Sequence, residues 1–262
     1  MSTPAETTAS PEPRTVIVTG ASLGIGRAIA EAFADLGWRI AIGARNAERL
    51  GEVVDSVGAR GGKAFAHALD VRDELSVETF CSAAQEALGP IDVLINNAGG
   101  AHPGRLHEMS YDDIRFAIES SLIGSLFMSR CVVASMLENR VEGDVVFISS
   151  RSVGVSWPGH IPYAASKAGM ESVGRALGQE LEGTGIRVIT ARVGDTMGTG
   201  FANDWTTDEQ QMSAYWAELG ILRHGGVMEP PNVASAVVGA VTTPRAFQID
   251  FLTVNAVAPT ID

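Results

Sequence analysis

The chain has 262 residues, of which 45% are hydrophobic and 19% are charged, and its formal net charge is −12 at pH 7. This composition supports a substantial buried core and excludes a disordered chain. The strong negative charge argues against nucleic acid and against an anionic membrane as partners.

The two regions that resemble targeting or membrane segments have simpler interpretations. Residues 1–13 are rich in Ser, Thr, Pro and Glu without an apolar core, which predicts a disordered tail rather than a secretion signal. The mostly apolar run 122–137 is interrupted by Arg130 and is short for roughly 30 Å of hydrocarbon. We therefore expect no membrane span, a cytoplasmic location, and free thiols at Cys81 and Cys131.

From residue 14 onward, short β-branched runs alternate with helical patterns, with no linker or repeat between them. Strands are predicted at 15–18, 39–42, 63–68, 93–95, 144–148, 186–191 and 250–254. Helices are predicted at 24–36, 46–59, 73–88, 111–138, 163–183 and 232–242. This alternation predicts one α/β domain over 14–262, a Rossmann-like, doubly wound parallel sheet with helices on both faces.

Residues 195–230 interrupt the alternation. Four of the 16 aromatic residues of the chain fall within the sixteen positions 201–216, namely Phe201, Trp205, Tyr215 and Trp216. An insertion before the last helix lies at the carboxyl end of the sheet, where ligands bind in such folds. We expect a helical lid over a pocket, with packing into the core as the alternative.

Several short patterns carry chemistry. The stretch 19–26, Thr-Gly-Ala-Ser-Leu-Gly-Ile-Gly, joins a strand to a helix, a geometry that sets backbone N–H groups and a helix dipole against a pyrophosphate. Tyr163 and Lys167 are four positions apart on a predicted helix, and Ser150 ends a strand. A hydroxyl donor, a phenol whose pKa a nearby ammonium lowers, and that ammonium suit proton exchange with an alcohol or ketone during hydride transfer.

Together these motifs resemble the short-chain dehydrogenase/reductase superfamily over nearly the whole chain from Arg14. The further matching elements are Asp70 after the third strand and the run Asn96-Asn97-Ala98-Gly99 after the fourth, and Tyr163 follows Ser150 by thirteen positions. The resemblance implies catalysis by Ser150, Tyr163, Lys167 and Ser121, with Tyr163 as general acid/base. The cofactor contacts it implies are Gly20, Ser22, Leu23, Gly24, Ile25, Arg45, Asp70, Val71, Asn97, Ala98, Gly99, Tyr163, Lys167, Gly194 and Thr196, and no metal is expected.

Two positions depart from the family pattern. Ser121 stands where the family usually has an Asn that holds a water beside the catalytic Lys, and a Ser hydroxyl can also bind a water. The alternative for Ser121 is a hydrogen bond to its own helix carbonyl four residues back. Helical geometry turns the neighbouring Ser120 about 100° away from that position. Val193 precedes Gly194 where the family commonly has Pro.

The cofactor choice follows from the end of the second strand. A site that prefers NAD places a carboxylate there for the ribose 2′-hydroxyl. Here Ala44 occupies that position and Arg45 follows, which favours the 2′-phosphate of NADP. The alternative is that Arg45 is a solvated surface cation.

We therefore expect an NADP-dependent oxidoreductase acting on a secondary alcohol/ketone pair, assembled as a homo-oligomer, a tetramer by resemblance. Alternatives are a cofactor-binding regulatory protein without catalysis, and an epimerase, dehydratase or enoyl reductase of the same fold. The candidates for the substrate pocket are polar and aromatic residues near the carboxyl ends of the strands. They are His102, Arg151, Ser152, Trp157, His160, Asp195, Phe201, Trp205 and Trp216.

Overall fold

The computed structural model describes residues 13–155, 157–221 and 225–260, so the tail predicted over 1–13 lies outside them except for Pro13. The strands in these ranges are β1 (Thr15–Thr19), β2 (Arg39–Ala44), β3 (Lys63–Ala68), β4 (Val93–Asn96), β5 (Asp144–Ser150), β6 (Arg187–Val193) and β7 (Phe251–Val254). The helices are α1 (Gly24–Ala34), α2 (Ala47–Ala59), α3 (Glu74–Leu88), α4 (Tyr111–Ile118), α5 (Gly124–Glu138), α6 (Ile161–Glu180), α7 (Thr207–Glu218) and α8 (Pro230–Val241).

The strands form one parallel sheet in the order β3-β2-β1-β4-β5-β6-β7. The chain runs outward from β1 to β3 and then returns to the other side of β1 with β4. The carboxyl ends of β1 and β4 therefore flank the point where the strand order reverses, which is where open α/β sheets bind ligands. The predicted Rossmann-like α/β fold is confirmed.

Alternating strand residues face two separate apolar layers. On one face, Val16 and Val18 of β1 belong to a cluster with α1, α2 and α8. On the other face, Ile17 belongs to a cluster with α3, α5 and α6. All three strand residues are fully buried, because a sheet covered by helices on both sides needs apolar side chains on both faces.

The long helix predicted at 111–138 contains a π-helical turn, Glu119–Ile123, between α4 and α5. By length and composition the helix could cross a membrane, which corrects the prediction that its apolar run is too short. Half of its most apolar window is buried inside the molecule, and a core helix meets the same criterion. Met128 and Val132 of α5 pack against the sheet, so the structure supports a core helix.

Two other predicted boundaries shift. Helix α6 begins at Ile161, two residues before the prediction, because Pro162 suits the first turn of a helix. It ends at Glu180 rather than at residue 183. Strand β5 extends to Ser150 and pairs with β6 up to Val193, so both strands continue to the mouth of the site.

The segment predicted as a lid contains helix α7. Its base is closed by a bridge between Thr196 and Met228, and Met197 N donates to Met228 O at 2.9 Å. Trp205, Trp216 and Ile221 form a small apolar cluster apart from the two layers of the core.

Candidate active site

A cavity of about 1330 Å³ opens at the carboxyl ends of the strands. All nine predicted pocket residues line it, and so do most of the predicted catalytic and cofactor-contacting residues. Gly24 and Ser121 are the two predicted site residues that do not line it. The cavity is therefore shared by the Gly-rich turn, the Ser-Tyr-Lys group and the lid.

The Gly-rich turn joins β1 to α1 at one end of this cavity. Gly20 and Gly24 have positive φ angles of 65° and 59°, a conformation that glycine adopts without strain. No side chain caps the amino end of α1 and its first turn carries no acidic residue, so its free N–H groups suit an anion. Asn97 Nδ2 donates to Thr19 O and Gly20 O at 2.9 and 3.2 Å, which ties the turn to β4.

Gly24 faces the lid rather than the cavity. A Cβ atom at Gly24 would lie 2.4 Å from Thr199 O, and a Cβ at Gly200 would lie 2.5 Å from the Leu23 side chain. The amino end of the lid segment therefore packs directly on the Gly-rich turn. In this structure the absence of a side chain at Gly24 permits that contact.

Cationic side chains lie in the same cavity wall as the Gly-rich turn. Arg72 donates to both Asp70 oxygens, with Nη2–Oδ2 at 2.6 Å, and its guanidinium holds the pKa of Asp70 below its usual value. Arg45 is exposed and makes no salt bridge within the described ranges, and its guanidinium carbon lies 5.5 Å from the centre of the Phe116 ring. This region can accept an anionic group at Arg45.

The predicted proton-exchange residues meet in the middle of the cavity. The Ser150 hydroxyl lies near Tyr163, and Ser150 Oγ accepts from Ser152 N at 3.2 Å. Burial raises the pKa of Tyr163 to about 12, although the nearby Ser150 hydroxyl acts in the opposite direction. The phenol is therefore protonated at neutral pH.

Lys167 lies beneath Tyr163. Its Nζ donates to Ile148 O at 2.8 Å and is 5.6 Å from the centre of the Tyr163 ring. Burial lowers the pKa of Lys167 to about 8. The expected lowering of the pKa of Tyr163 is not found in this structure, because burial of the phenol raises that pKa.

Ser121 lies in the π-helical turn, behind Gly99. A Cβ at Gly99 would lie 2.5 Å from Ser121 Oγ and 3.5 Å from Lys167 Nζ, so these two polar atoms are at most about 6 Å apart. Ser121 Oγ is fully buried and has no hydrogen-bond partner among the described residues. The alternative of a bond to its own helix carbonyl is therefore wrong.

Ser120 points to a different place from Ser121, as expected, and that place is the cavity wall. Ser120 lines the cavity, and its Oγ accepts from Gly100 N at 3.3 Å. The 100° step assumed an ordinary α-helix, whereas these serines lie in the wider π-helical turn.

The lid is attached to the loop after β4 and to the turn before α6. Trp205 Nε1 donates to Ala101 O at 2.9 Å, and Trp216 Nε1 donates to Pro158 O at 2.7 Å. His102 Nδ1 lies 3.0 Å from Glu209 Oε1 on α7. These contacts enclose the lid end of the cavity with aromatic rings.

Arg72, Phe116 and Ser120 are among the residues of the cavity wall that sequence reasoning missed. Arg72 follows Asp70 by two positions, and this spacing could have predicted its place in the cavity wall. The places of Phe116 and Ser120 depend on the geometry of their helix, which the sequence does not show. Within residues 13–155, 157–221 and 225–260, no group of three His, Cys, Asp or Glu could hold a metal ion.

The fold and the cavity at the carboxyl ends of its strands are typical of nucleotide-binding α/β proteins. A family model described as short chain dehydrogenase matches residues 14–210. The uncharacterized oxidoreductase YxbG of Bacillus subtilis is 34% identical over 231 residues, covering 87% of this chain and 84% of that protein. The chain belongs to the short-chain dehydrogenase/reductase family.

Two solved structures are similar over nearly their full length. A variant of actinorhodin polyketide ketoreductase with NADPH is 29% identical, with a TM-score of 0.82 and coverage of 95% of this chain and 98% of that one. An alcohol dehydrogenase from the archaeon Thermococcus sibiricus with 5-hydroxy-NADP is 26% identical, with a TM-score of 0.81 and coverage of 96% and 100%.

Proposed function

We propose that this oxidoreductase reduces a ketone to a secondary alcohol with NADPH, using Tyr163 as the general acid. The observation that carries the proposal is that Ser150 and Tyr163 lie together in the wall of the cavity, with Lys167 beneath the Tyr163 ring. The cofactor supplies a hydride when it is bound.

Each residue of this group has a separate role. Ser150 accepts a hydrogen bond from Ser152 N, which leaves its own proton free to donate to a carbonyl oxygen. Tyr163 transfers the phenol proton to the same oxygen as negative charge develops there. Lys167 stabilises the phenolate that remains, because an ammonium favours a nearby anion.

The protonation of Tyr163 affects how the rate of each direction depends on pH. A phenol with a pKa of about 12 holds its proton at neutral pH, which suits donation to a ketone. Alcohol oxidation needs the phenolate, which becomes abundant only at high pH. We therefore propose that the site catalyses reduction at neutral pH and that the rate of alcohol oxidation rises with pH.

The residues of the cavity fit a phosphorylated dinucleotide. The uncapped first turn of α1 offers N–H donors for a pyrophosphate, and Arg45 offers an unpaired guanidinium for a 2′-phosphate. The similar structures with NADPH and 5-hydroxy-NADP support the same choice.

Replacement of Tyr163 by Phe tests the chemistry. The change removes the exchangeable proton and little volume, so we expect turnover to fall by about 10² to 10⁴ while cofactor affinity stays nearly constant. Steady-state rates on a panel of ketones and fluorescence titration with NADPH measure the two quantities. Near wild-type turnover in Tyr163→Phe would overturn the proposed role.

Replacement of Arg45 by Ala tests the cofactor choice. A charged hydrogen bond to phosphate contributes roughly 1.5–3 kcal/mol, so Arg45→Ala should weaken NADPH binding about 10- to 100-fold and leave NADH binding unchanged. Arg49→Ala, which changes another cation beside the cavity, is the matched control. A wild-type preference for NADH would contradict the proposal.

The tetramer and the cytoplasmic location also stay proposals. Small residues on α6, including Ala164, Ala168 and Gly169, permit close helix contact and support the first of them.

A further inference from the structure

Three buried polar atoms in the cavity wall have no hydrogen-bond partner among the described residues. They are Ser152 Oγ, Trp157 Nε1 and His160 Nδ1. Native proteins leave few buried polar atoms unpaired, because each one loses its hydrogen bonds to water. A ligand that supplies the missing partners would account for such atoms in the wall of a binding cavity.

Two of these residues, Trp157 and His160, lie on the turn before α6 and contact the same indole ring. The ring centres of Trp157 and Trp216 are 4.9 Å apart, and those of His160 and Trp216 are 5.2 Å apart. The His160 backbone N–H donates to Trp157 O at 3.0 Å, which holds the turn together. The unpaired nitrogens therefore belong to one rigid part of the wall.

This part of the wall adjoins the proposed proton donor and is otherwise aromatic. The His160 ring lies edge-on to Tyr163 with centres 4.7 Å apart, and Phe201 lies 5.2 Å from Tyr163. Trp205 stands 6.1 Å from His160. Flat apolar surfaces of this kind favour a planar or cyclic ligand.

The hydrogen-bonding capacity of the two nitrogens indicates which group of a ligand could pair with them. The indole Nε1–H of Trp157 only donates, so its partner is an acceptor. Burial lowers the pKa of His160 to about 4, so its imidazole is neutral near pH 7, with one nitrogen donating and the other accepting. A hydroxyl or carbonyl oxygen can pair with both residues.

Charge argues for an uncharged ligand at this end of the cavity. Arg151 pairs with Asp195, and its guanidinium carbon lies 5.7 Å from the centre of the Trp157 ring. The pair is neutral overall, so neither charge is left to bind an ionic group. Arg45, which makes no salt bridge among the described residues, is on the Gly-rich side of the cavity.

Resting on the proposed ketone reduction, we propose that Trp157 and His160 form a subsite for a second oxygen function, a hydroxyl or carbonyl group, on an uncharged cyclic ketone. The reacting carbonyl lies at Ser150 and Tyr163, and the ring packs against Phe201, Trp205 and Trp216. His160 and Trp157 then determine substrate specificity without taking part in proton transfer.

The test compares 1-tetralone with the set of its monohydroxylated derivatives, using NADPH. At least one hydroxylated ketone should have a kcat/KM about 10- to 100-fold above that of 1-tetralone, because a buried site built for a hydroxyl rejects the analogue that lacks it. His160→Phe and Trp157→Phe keep an aromatic ring and remove the nitrogen. Each should lower kcat/KM for the preferred hydroxylated ketone about 10-fold more than it lowers kcat/KM for 1-tetralone.

Trp205→Phe is the matched control for Trp157→Phe. Its indole N–H already bonds Ala101 O, so the change removes a contact between parts of the protein rather than an unpaired donor. It should change kcat/KM for both kinds of ketone by the same factor. Circular dichroism of each variant verifies that it is folded.

The outcomes separate the two proposals. Equal kcat/KM for all the ketones, or full discrimination retained in both His160→Phe and Trp157→Phe, overturns the subsite while ketone reduction stands. If no ketone is reduced, the proposed function fails, and calorimetric titration of the same ketones tests the subsite directly. Tighter binding of a hydroxylated ketone that is lost in either variant supports the subsite, and equal binding overturns it.

Discussion

Ser121 and Lys167 approach each other from two helices, with Gly99 between the hydroxyl and the cavity. Both side chains are buried, with exposures of 0% and 3%. Ser121 Oγ is unpaired within the described ranges, and Lys167 Nζ has one protein acceptor, Ile148 O. An ammonium has three donors, so a water bonded to both groups satisfies the hydroxyl and a second lysine proton.

We therefore expect Ser121→Ala to slow turnover about 10-fold, with little change in cofactor affinity, because proton return to Tyr163 loses part of its route. Ser121→Asn should retain or raise activity. The pH profile of kcat separates this role from a structural one, since a packing defect would leave its shape unchanged.

Ser125→Ala is the matched control for Ser121→Ala. Ser125 is buried on the same helix, but its hydroxyl already donates to Leu122 O at 2.8 Å. Wild-type turnover in Ser121→Ala, or an equal loss of turnover in both variants, would contradict a role of Ser121 in proton return to Tyr163.

The place of a single residue in the site was predictable from the sequence where one motif determines it. The carboxyl end of a strand places Ser150, and a four-residue helical spacing places Tyr163 above Lys167. The protonation of Tyr163 was not predictable, because it depends on how many protein atoms surround the phenol. Ser120 was missed because a pattern of apolar residues does not show a π-helical turn.

At the scale of elements, a capping box stabilises the first turn of the lid helix α7. Thr206 Oγ1 accepts from Glu209 N at 3.3 Å, and Glu209 Oε2 accepts from Thr206 N at 2.5 Å. The other oxygen of Glu209 lies 3.0 Å from His102 Nδ1. One carboxylate therefore both caps the lid helix and attaches it to the loop after β4.

Thr206→Ala removes half of that box and should destabilise α7 by about 1 kcal/mol. Because α7 packs on a small cluster of its own, we expect a higher ketone KM and faster proteolysis within 195–230, with little change in the melting temperature.

Asp73→Ala is the matched control for the lid prediction, since Asp73 caps α3 by accepting from Ser76 N at 2.6 Å. Helix α3 packs on the main core, so this change should lower the melting temperature and leave ketone KM unchanged. The same response to both changes would show that the lid is an integral part of the core.

The order of strands and helices was predictable because periods of two and of 3.6 residues are visible in the sequence. The predicted starts of α6 and α8 were two residues late, because prolines at their first turns were not used as start signals. The contact of Thr199 with Gly24 was not predictable, since it depends on the path of the lid.

At the scale of the whole molecule, the opposite end of the sheet is held by a charged cluster. Asp144 is fully buried and accepts from Arg187 Nε at 2.6 Å, from Arg14 Nη2 at 2.8 Å and from Arg245 Nη1 at 3.1 Å. Arg187 also donates to Val241 O at 2.8 Å, which joins the end of α8 to β6. These partners lie 43 to 130 residues apart in the chain, so local sequence patterns give no sign of the cluster.

Stability at acid pH depends on a residue at the other end of the sheet. Burial lowers the pKa of His160 from 6.5 to about 4, so the unfolded chain takes up a proton between these values while the folded protein does not. The stability contributed by neutral His160 is thus complete above pH 6.5 and is lost as the pH falls toward 4.

We expect the free energy of unfolding to fall more steeply with decreasing pH in the wild type than in His160→Phe, by at most about 1.4 kcal/mol for each pH unit in this window. Urea unfolding at intervals from pH 7.5 to pH 4 measures both slopes, and their difference removes the shared contribution of the carboxylates. His107→Phe is the control, because its ring is 76% exposed and stays in solvent in both states. Parallel curves for the wild type and His160→Phe would mean that the folded protein admits the proton, and His160 would then act as a charged group in the pocket at mildly acidic pH.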